Sequence, residues 1–91
     1  MHCVFKALAD PTRREILALL STRDMAAGEI AAHFNLSWPS ISHHLSILKQ
    51  AGLIVCGRSG QNIIYTINTA MFQEITSWIA ALLGPRFRRR L

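Results

Sequence analysis

Three observations predict a mainly α-helical fold with one small β-hairpin. Apolar residues recur at helical spacing in several short segments of the first 50 residues, with capping residues and prolines between them. Two β-branched runs then flank a glycine-containing connection, which is typical of a hairpin. A final apolar stripe of helical spacing follows. With 91 residues, the chain has room for one small domain.

The first two helices are separated by a capping signal. Residues 4–8 form a short apolar segment that predicts a helix ending before Asp10. Asp10 is expected to cap a second helix that extends to Ser21. Pro11 would occupy its first position, where the missing N–H costs nothing.

A third helix is predicted over residues 25–34, with its apolar side formed by Ile30, Ala31 and Phe34. Residues 35–37 are a tight break before the fourth helix, which Ser37 can cap. Pro39 lies in the first turn of that helix, and Gly52 suits the position just after its end.

The fourth helix has two different faces. Its apolar stripe consists of Ile41, His44, Leu45 and Leu48. The opposite side holds Pro39, Ser42, His43, Ser46 and Gln50, with Lys49 beside Ser42. An ordinary solvated face would carry Glu/Lys pairs, whereas small hydroxyls and an imidazole suit contact with base edges in a DNA major groove.

Residues 53–56 and 63–67 are the two β-branched runs, joined by a connection over residues 57–62. Asn68 or Thr69 is expected to cap a last helix that extends to Leu83. The predicted domain covers residues 1–85. Residues 86–91 form a basic tail that is expected to be disordered. Four helices, a hairpin and a helix are the order of a winged helix-turn-helix.

The charge distribution is more informative than the net charge of +5. Four of the ten cations are arginines of the tail, so residues 1–85 carry six cations and five acids. However, no Asp or Glu occurs between Glu29 and Glu74. This acid-free segment would not repel phosphates where it is exposed. Equally, it is consistent with the apolar middle of a small protein.

Three motifs resemble the ArsR-type winged-helix repressors: residues 5–17 (FKALADPTRREIL), residues 40–45 (SISHHL) with Leu48, and residues 51–54 (AGLI). The similarity covers residues 4–83, with the motifs in the family's order. Within the family, the chain is most similar to a small metal-independent autorepressor. The resemblance implies a homodimer that binds an inverted-repeat operator on double-stranded DNA and blocks transcription.

The metal sites of the family are not expected here. Family metal sensors place a Cys-x-Cys pair on the third helix or acidic and histidine pairs on the last helix. Residues 28–34 contain no cysteine, and the last helix offers only Glu74. We therefore expect no metal or other cofactor. The alternative is a thiol- or ligand-switched sensor that uses Cys3 or Cys56, although two isolated cysteines are more simply reduced thiols.

The predicted DNA-binding residues lie on the fourth helix, at its start and at the hairpin tip. They are Ser37, Trp38, Ser40, Ser42, His43, Lys49, Arg58 and Gln61. Trp38 has two interpretations, since it can lie against sugar–phosphate or fill the gap to the third helix. His44 is interpreted as a structural histidine, and His33 as a surface residue.

The apolar stripe of the last helix is wider than the roughly 100° that a surface helix needs, which favours a dimer over a single monomeric core. The predicted interface consists of Val4, Phe5, Leu8, Met71, Phe72, Ile75, Trp78, Ile79 and Leu82.

Other function classes are disfavoured. The sequence has no glycine-rich phosphate loop, no paired carboxylates and no nucleophile with an evident base, so an enzyme is not expected. Neither a leader nor a long apolar run is evident, which predicts a cytoplasmic protein without membrane association. The arginine-rich tail after an apolar helix leaves open a membrane-bound partner.

Overall fold

The computed structural model describes residues 2–90, with side chains described for residues 3–84. The described residues form five helices and three strands, and the predicted mainly α-helical class with a small β-wing is confirmed. The helices are α1 His2–Leu8, α2 Pro11–Leu20, α3 Ala27–Ala31, α4 Trp38–Gln50 and α5 Thr69–Arg90. The strands are β1 Met25–Ala26, β2 Ile54–Ser59 and β3 Asn62–Ile67.

The predicted N-caps of the second and fourth helices are confirmed. A carboxylate oxygen of Asp10 accepts a 3.0 Å hydrogen bond from the backbone N–H of Arg13, at the start of α2. The hydroxyl of Ser37 accepts a 3.3 Å bond from the backbone N–H of Ser40, at the start of α4. Each cap satisfies an N–H that the helix itself leaves without a partner.

The predicted third helix is wrong at both ends. Its first two residues form β1, in which Met25 pairs with Tyr65 and Ala26 with Ile64 of β3. A two-residue strand is too short to show an alternating pattern in the sequence. The carboxylate of Glu29 accepts a 3.1 Å hydrogen bond from the N–H of Ala26, which fixes the helix start after that residue. The helix ends at Ala31, and turns lead to Ser37.

The predicted hairpin is confirmed, although its connection is shorter than expected. The strands extend to Ser59 and from Asn62, so the loop contains only Gly60 and Gln61 rather than residues 57–62. Gly60 has a φ of 64°, which suits the first position of a two-residue hairpin turn. The sheet is antiparallel with the order β1-β3-β2, and thus has one strand more than predicted.

One core joins the helices to the base of the sheet. Its largest fully buried side chains are Ile16, Ile30, Ile41, Leu48, Leu53 and Ile54. The end of α4 is fixed by two hydrogen bonds, from the Gly52 N–H to the Lys49 carbonyl (3.0 Å) and from the Leu53 N–H to the Leu48 carbonyl (3.1 Å). Gly52 has a φ of 79°, as this helix ending requires.

The last helix begins after Asn68, whose side-chain oxygen accepts a 3.4 Å hydrogen bond from the N–H of Met71. Its backbone is broken at Gly84, where φ is 47° and ψ is −136°. The sequence predicts disorder for residues 86–91, which lie outside the residues whose side chains are described. Among the described helices, none combines the length and apolar character needed to cross a membrane.

Candidate nucleic-acid interface

Helix α4 is held in the domain by one face and presents the other to solvent. Ile41 and Leu48 are fully buried, and Leu45 is nearly so. Ser42 and His43, which follow Ile41 in the chain, are exposed. The two faces predicted from the sequence are therefore present, and the hydroxyl and imidazole groups are available to a ligand outside the domain.

Seven of the eight predicted DNA-binding residues are exposed, and Ser40 is half-buried. The hydroxyl of Ser37 already accepts the capping hydrogen bond, which leaves its proton free to donate to a ligand. Trp38 is 54% exposed, which favours contact with sugar–phosphate over filling the gap to α3. Leu36, at 43% exposure, is a second large apolar side chain at the same end of α4 that the sequence analysis did not select.

The remaining predicted residues lie on two separate elements. Lys49 is exposed in the last turn of α4. Arg58 lies near the end of β2, opposite Ile63, and Gln61 lies in the hairpin loop. The structure thus divides the candidate surface between a helix face and the tip of a hairpin, which is the wing of a winged helix.

No acidic residue lies on α4, β2 or β3, so the acid-free segment includes an exposed surface and is not merely an apolar interior. Glu29, the last acid before this segment, forms a 2.8 Å ion pair with Arg23. The pKa of Glu29 is lowered, first by its hydrogen bond from the N–H of Ala26 and then by Arg23. Both partners of this ion pair are exposed, outside α4 and the hairpin.

His44 has the structural position that the sequence predicts. Its side chain is only 14% exposed, and its Nδ1 lies 3.3 Å from Nη1 of Arg13 and 3.9 Å from a carboxylate oxygen of Asp10. The pKa of Asp10 is lowered, chiefly by the backbone N–H of Arg13; burial opposes this shift, and the charges of Arg13 and His44 add to it. Arg13 carries no local signal of this role in the sequence, because its partner on α4 is 31 residues away.

A second exposed surface is apolar and combines α1 with α5. The rings of Phe5 and Trp78 are 5.5 Å apart at an interplanar angle of 50°. The large exposed apolar residues here are Phe5, Trp78, Ile79, Leu82 and Leu83. The predicted interface is corrected at Val4 and Ile75, which are buried in the protomer's own core and have little surface left for a partner.

Three other members of the predicted interface, Leu8, Met71 and Phe72, are half-buried and pack against the core. The structure therefore divides the wide apolar stripe of α5. Its first turns pack inward, and the segment from Trp78 to Leu83 remains exposed.

The family model for bacterial regulatory proteins of the arsR family matches residues 10–55, which include α2, α4 and the start of the wing. The chain belongs to the arsR family. It is 58% identical to the transcriptional repressor SdpR of Bacillus subtilis over 87% of this chain and 88% of that protein. It is also 37% identical to the arsenical resistance operon repressor of Staphylococcus xylosus, over 75% of this chain and 65% of the relative.

Solved structures agree with this membership. An ArsR-like transcriptional regulator from Rhodococcus sp. RHA1 superposes with a TM-score of 0.81 at 32% identity, over 98% of this chain and 83% of that one. A homodimeric winged helix-turn-helix DNA-binding domain from Mycobacterium bovis gives a TM-score of 0.74 at 26% identity, over 97% and 82%. The chain is therefore a winged helix-turn-helix transcriptional regulator of the arsR family, which is a family of regulators and not of enzymes.

Among the described residues, no three His, Cys, Asp or Glu side chains come close enough together to hold a metal ion. Cys3 is exposed on α1, and Cys56 is half-buried on β2 opposite Tyr65. Both are free thiols, on different elements of the fold. His33 is exposed, as the sequence analysis expects.

Proposed function

We propose that this arsR-family chain is a homodimeric repressor that binds an inverted-repeat operator on double-stranded DNA. The exposed face of α4 carries this proposal. Ser42 and His43 point to solvent because Ile41, Leu45 and Leu48 hold the opposite face in the core. A helix held in this way can enter a major groove with its polar face towards the base edges.

The chemistry of this face sets the kind of recognition. Hydroxyl and imidazole groups donate and accept hydrogen bonds, but none makes the bidentate contact of arginine with guanine. Each contact should therefore contribute less than the roughly 1–3 kcal/mol of a bidentate pair. Lys49, in the last turn of α4, and Arg58, on the wing, are exposed cations and are assigned to phosphates.

The exposed apolar surface of α1 and α5 supports the homodimer. Leu82 is 68% exposed, and it shares this surface with the Phe5–Trp78 pair. Large apolar patches on small proteins mark interaction sites. The Mycobacterium bovis neighbour, a homodimer by its description, has the same fold. Two recognition helices related by a two-fold axis would read half-sites about 34–36 Å apart.

Selection from random duplex DNA with the purified protein tests this function. We expect an enriched palindrome, to which S42A and H43A bind more weakly than the wild type. S21A is the matched control, because Ser21 is an exposed serine at the end of α2 whose hydroxyl bonds to the Ala18 carbonyl. A folded wild-type protein that enriches no sequence would contradict the proposal.

We further propose that repression is metal-independent and directed at the protein's own operon. The similarity to SdpR, which is named a transcriptional repressor, supports a repressing role for this chain. The separation of the two thiols and the lack of a ligand cluster among the described residues support the metal independence.

The protein should bind the selected duplex with the same affinity whether zinc, a chelator, an oxidant or a reductant is added. Titrations under each condition measure this. A zinc-dependent change would favour a metal sensor, and an oxidant-dependent change would favour the thiol-switched alternative. Protection of the DNA upstream of the protein's own gene would support autoregulation, and its absence would contradict it.

A further inference from the structure

We infer that Arg13 and His44 form a positioning pair, which sets the orientation of the recognition helix α4 relative to α1 and hence to the two-fold axis. This inference rests on the proposed DNA-binding homodimer. It concerns residues outside the predicted DNA-binding and dimer surfaces. The evidence is a set of hydrogen bonds that connects three helices through one guanidinium group.

The Arg13 guanidinium binds the end of α1. Its Nε donates a 2.8 Å hydrogen bond to the carbonyl of Ala7, and its Nη2 donates a 3.2 Å bond to the carbonyl of Lys6. Carbonyls at the end of a helix have no partner within the helix, so a fixed cation there is favourable. The backbone N–H of Arg13 is held in turn by the carboxylate of Asp10.

The same guanidinium reaches α4. Its Nη1 lies 3.3 Å from Nδ1 of His44, and the imidazole is largely buried. Arginine has only donors, so Nδ1 of His44 is the acceptor in a hydrogen bond between the two side chains. Arginine's planar group binds several acceptors in fixed directions, which a lysine ammonium does not reproduce.

The neighbouring Arg14 provides an internal comparison. Its Nη1 also donates to carbonyls at the end of α1, that of the last helical residue, Leu8 (2.8 Å), and that of the next residue, Ala9 (3.0 Å). Arg14 makes no hydrogen bond to α4 among the described side chains, whereas Arg13 does. Two adjacent arginines thus bind the same end of α1, and only one of them continues to the recognition helix.

The position of α1 gives this contact its functional meaning. Phe5 of α1 packs on Trp78 of α5, within the apolar surface assigned to the dimer. A route of direct contacts therefore leads from that surface through α1 and Arg13 to His44. Because an inverted repeat engages both recognition helices at once, a small rotation of α4 misaligns the second half-site while the first can still be bound.

The test compares affinities for the full inverted repeat and for a duplex with a single half-site. For R13K and H44F, we expect an affinity loss of about tenfold on the full repeat, the usual effect of losing a hydrogen bond to a charged group. The affinity for the half-site should stay within about twofold of the wild-type value, because differences of this size are ordinary for substitutions that do not interact with the measured site. H44N should restore binding because its side-chain oxygen can replace Nδ1 as the acceptor.

R14K is the matched control and should bind both duplexes like the wild type. The double variant R13K/H44F should lose no more affinity than either single variant, since the two substitutions remove the same contact. Sedimentation and thermal melts of every variant identify any variant that dissociates or unfolds. If H44F unfolds, H44N is the folded variant with which His44 is tested.

The outcomes separate the two proposals. If the wild type binds neither duplex, the DNA-binding function fails, and the positioning role fails with it. If the wild type binds and R13K behaves like R14K, only the positioning role is overturned. An equal loss on half-site and full repeat for H44F, with R13K unaffected, would instead make His44 a direct DNA contact and also overturn the positioning role.

Discussion

The side-chain amide of Asn68 donates a 2.8 Å hydrogen bond from Nδ2 to the carbonyl of Gly52. It thereby joins the residue that precedes α5 to the glycine that lies just after the end of α4. The Asn68 backbone N–H also donates a 3.0 Å bond to the carbonyl of Leu53. The segment after α4 is thus bonded to the residue before α5. This is a second point at which the recognition helix is fixed in the domain, distinct from the contact between Arg13 and His44.

Substitutions of Asn68 should separate its two roles. N68A removes both the cap of α5 and the bond to Gly52, and we expect a loss of about 2 kcal/mol in the free energy of unfolding. N68S keeps a capping hydroxyl but cannot reach Gly52, so a loss of about 1 kcal/mol is expected. Urea denaturation measures both losses. Equal losses for the two variants would show that the cap contributes little.

Asp10 should make stability depend on acid pH. Its pKa in the folded protein lies below the ordinary value of 3.8, chiefly because the N–H of Arg13 bonds to the carboxylate. The ionised group therefore stabilises the fold above its unfolded pKa, and this contribution is lost as the pH falls through the lower folded value.

D10N isolates this contribution, because asparagine caps helices about as well as aspartate but does not titrate. Unfolding free energies of the wild type and D10N should differ by a constant amount above about pH 5, and the difference should disappear as the pH falls through the folded pKa of Asp10, which lies below 3.8. The effect of other carboxylates, including Glu29, cancels in this difference. A difference that stays the same from about pH 5 down through this folded pKa would contradict the assignment.

Leu82 should be important for dimerisation and unimportant for folding. It is 68% exposed in the protomer, so L82S removes apolar surface that only a partner would cover. We expect sedimentation at micromolar concentrations to show a monomer with wild-type helical content. I63S, at a wing position that is 46% exposed, is the control and should stay dimeric. A monomeric wild type, or a dimeric L82S, would argue against this interface.

Local chemistry explains the parts of the fold that the sequence predicts correctly. Asp10 and Ser37 cap helices through N–H groups three residues away, and such contacts depend only on nearby sequence. The polar and apolar faces of α4 likewise follow from helical periodicity. These two kinds of signal are enough to place Ser42 and His43 on the surface.

Features that depend on distant parts of the chain could not be predicted in this way. Met25 belongs to a strand because it pairs with Tyr65. Arg13 matters because it meets His44, which is 31 residues away. Val4 and Ile75 belong to apolar stripes that serve both the core and the surface, and periodicity alone does not divide such a stripe.

The salt dependence of DNA binding should identify the phosphate contacts. Each cation that neutralises a phosphate releases counterions, which adds about 0.9 to the slope of log affinity against log salt concentration. K49Q and R58Q should each lower the slope by about one, with little change in sequence preference. R23Q is the control, because Arg23 forms an ion pair with Glu29 and lies outside α4 and the hairpin.

Titrations of the selected operator at several salt concentrations give these slopes. If the slope for R58Q equals that of the wild type, Arg58 on the wing does not contact a phosphate. Lys49 then remains as the cation beside the recognition face. If R23Q lowered the slope as much as K49Q, the effect would come from net charge rather than from particular phosphates. The division of the DNA surface between α4 and the wing would then lose its electrostatic support.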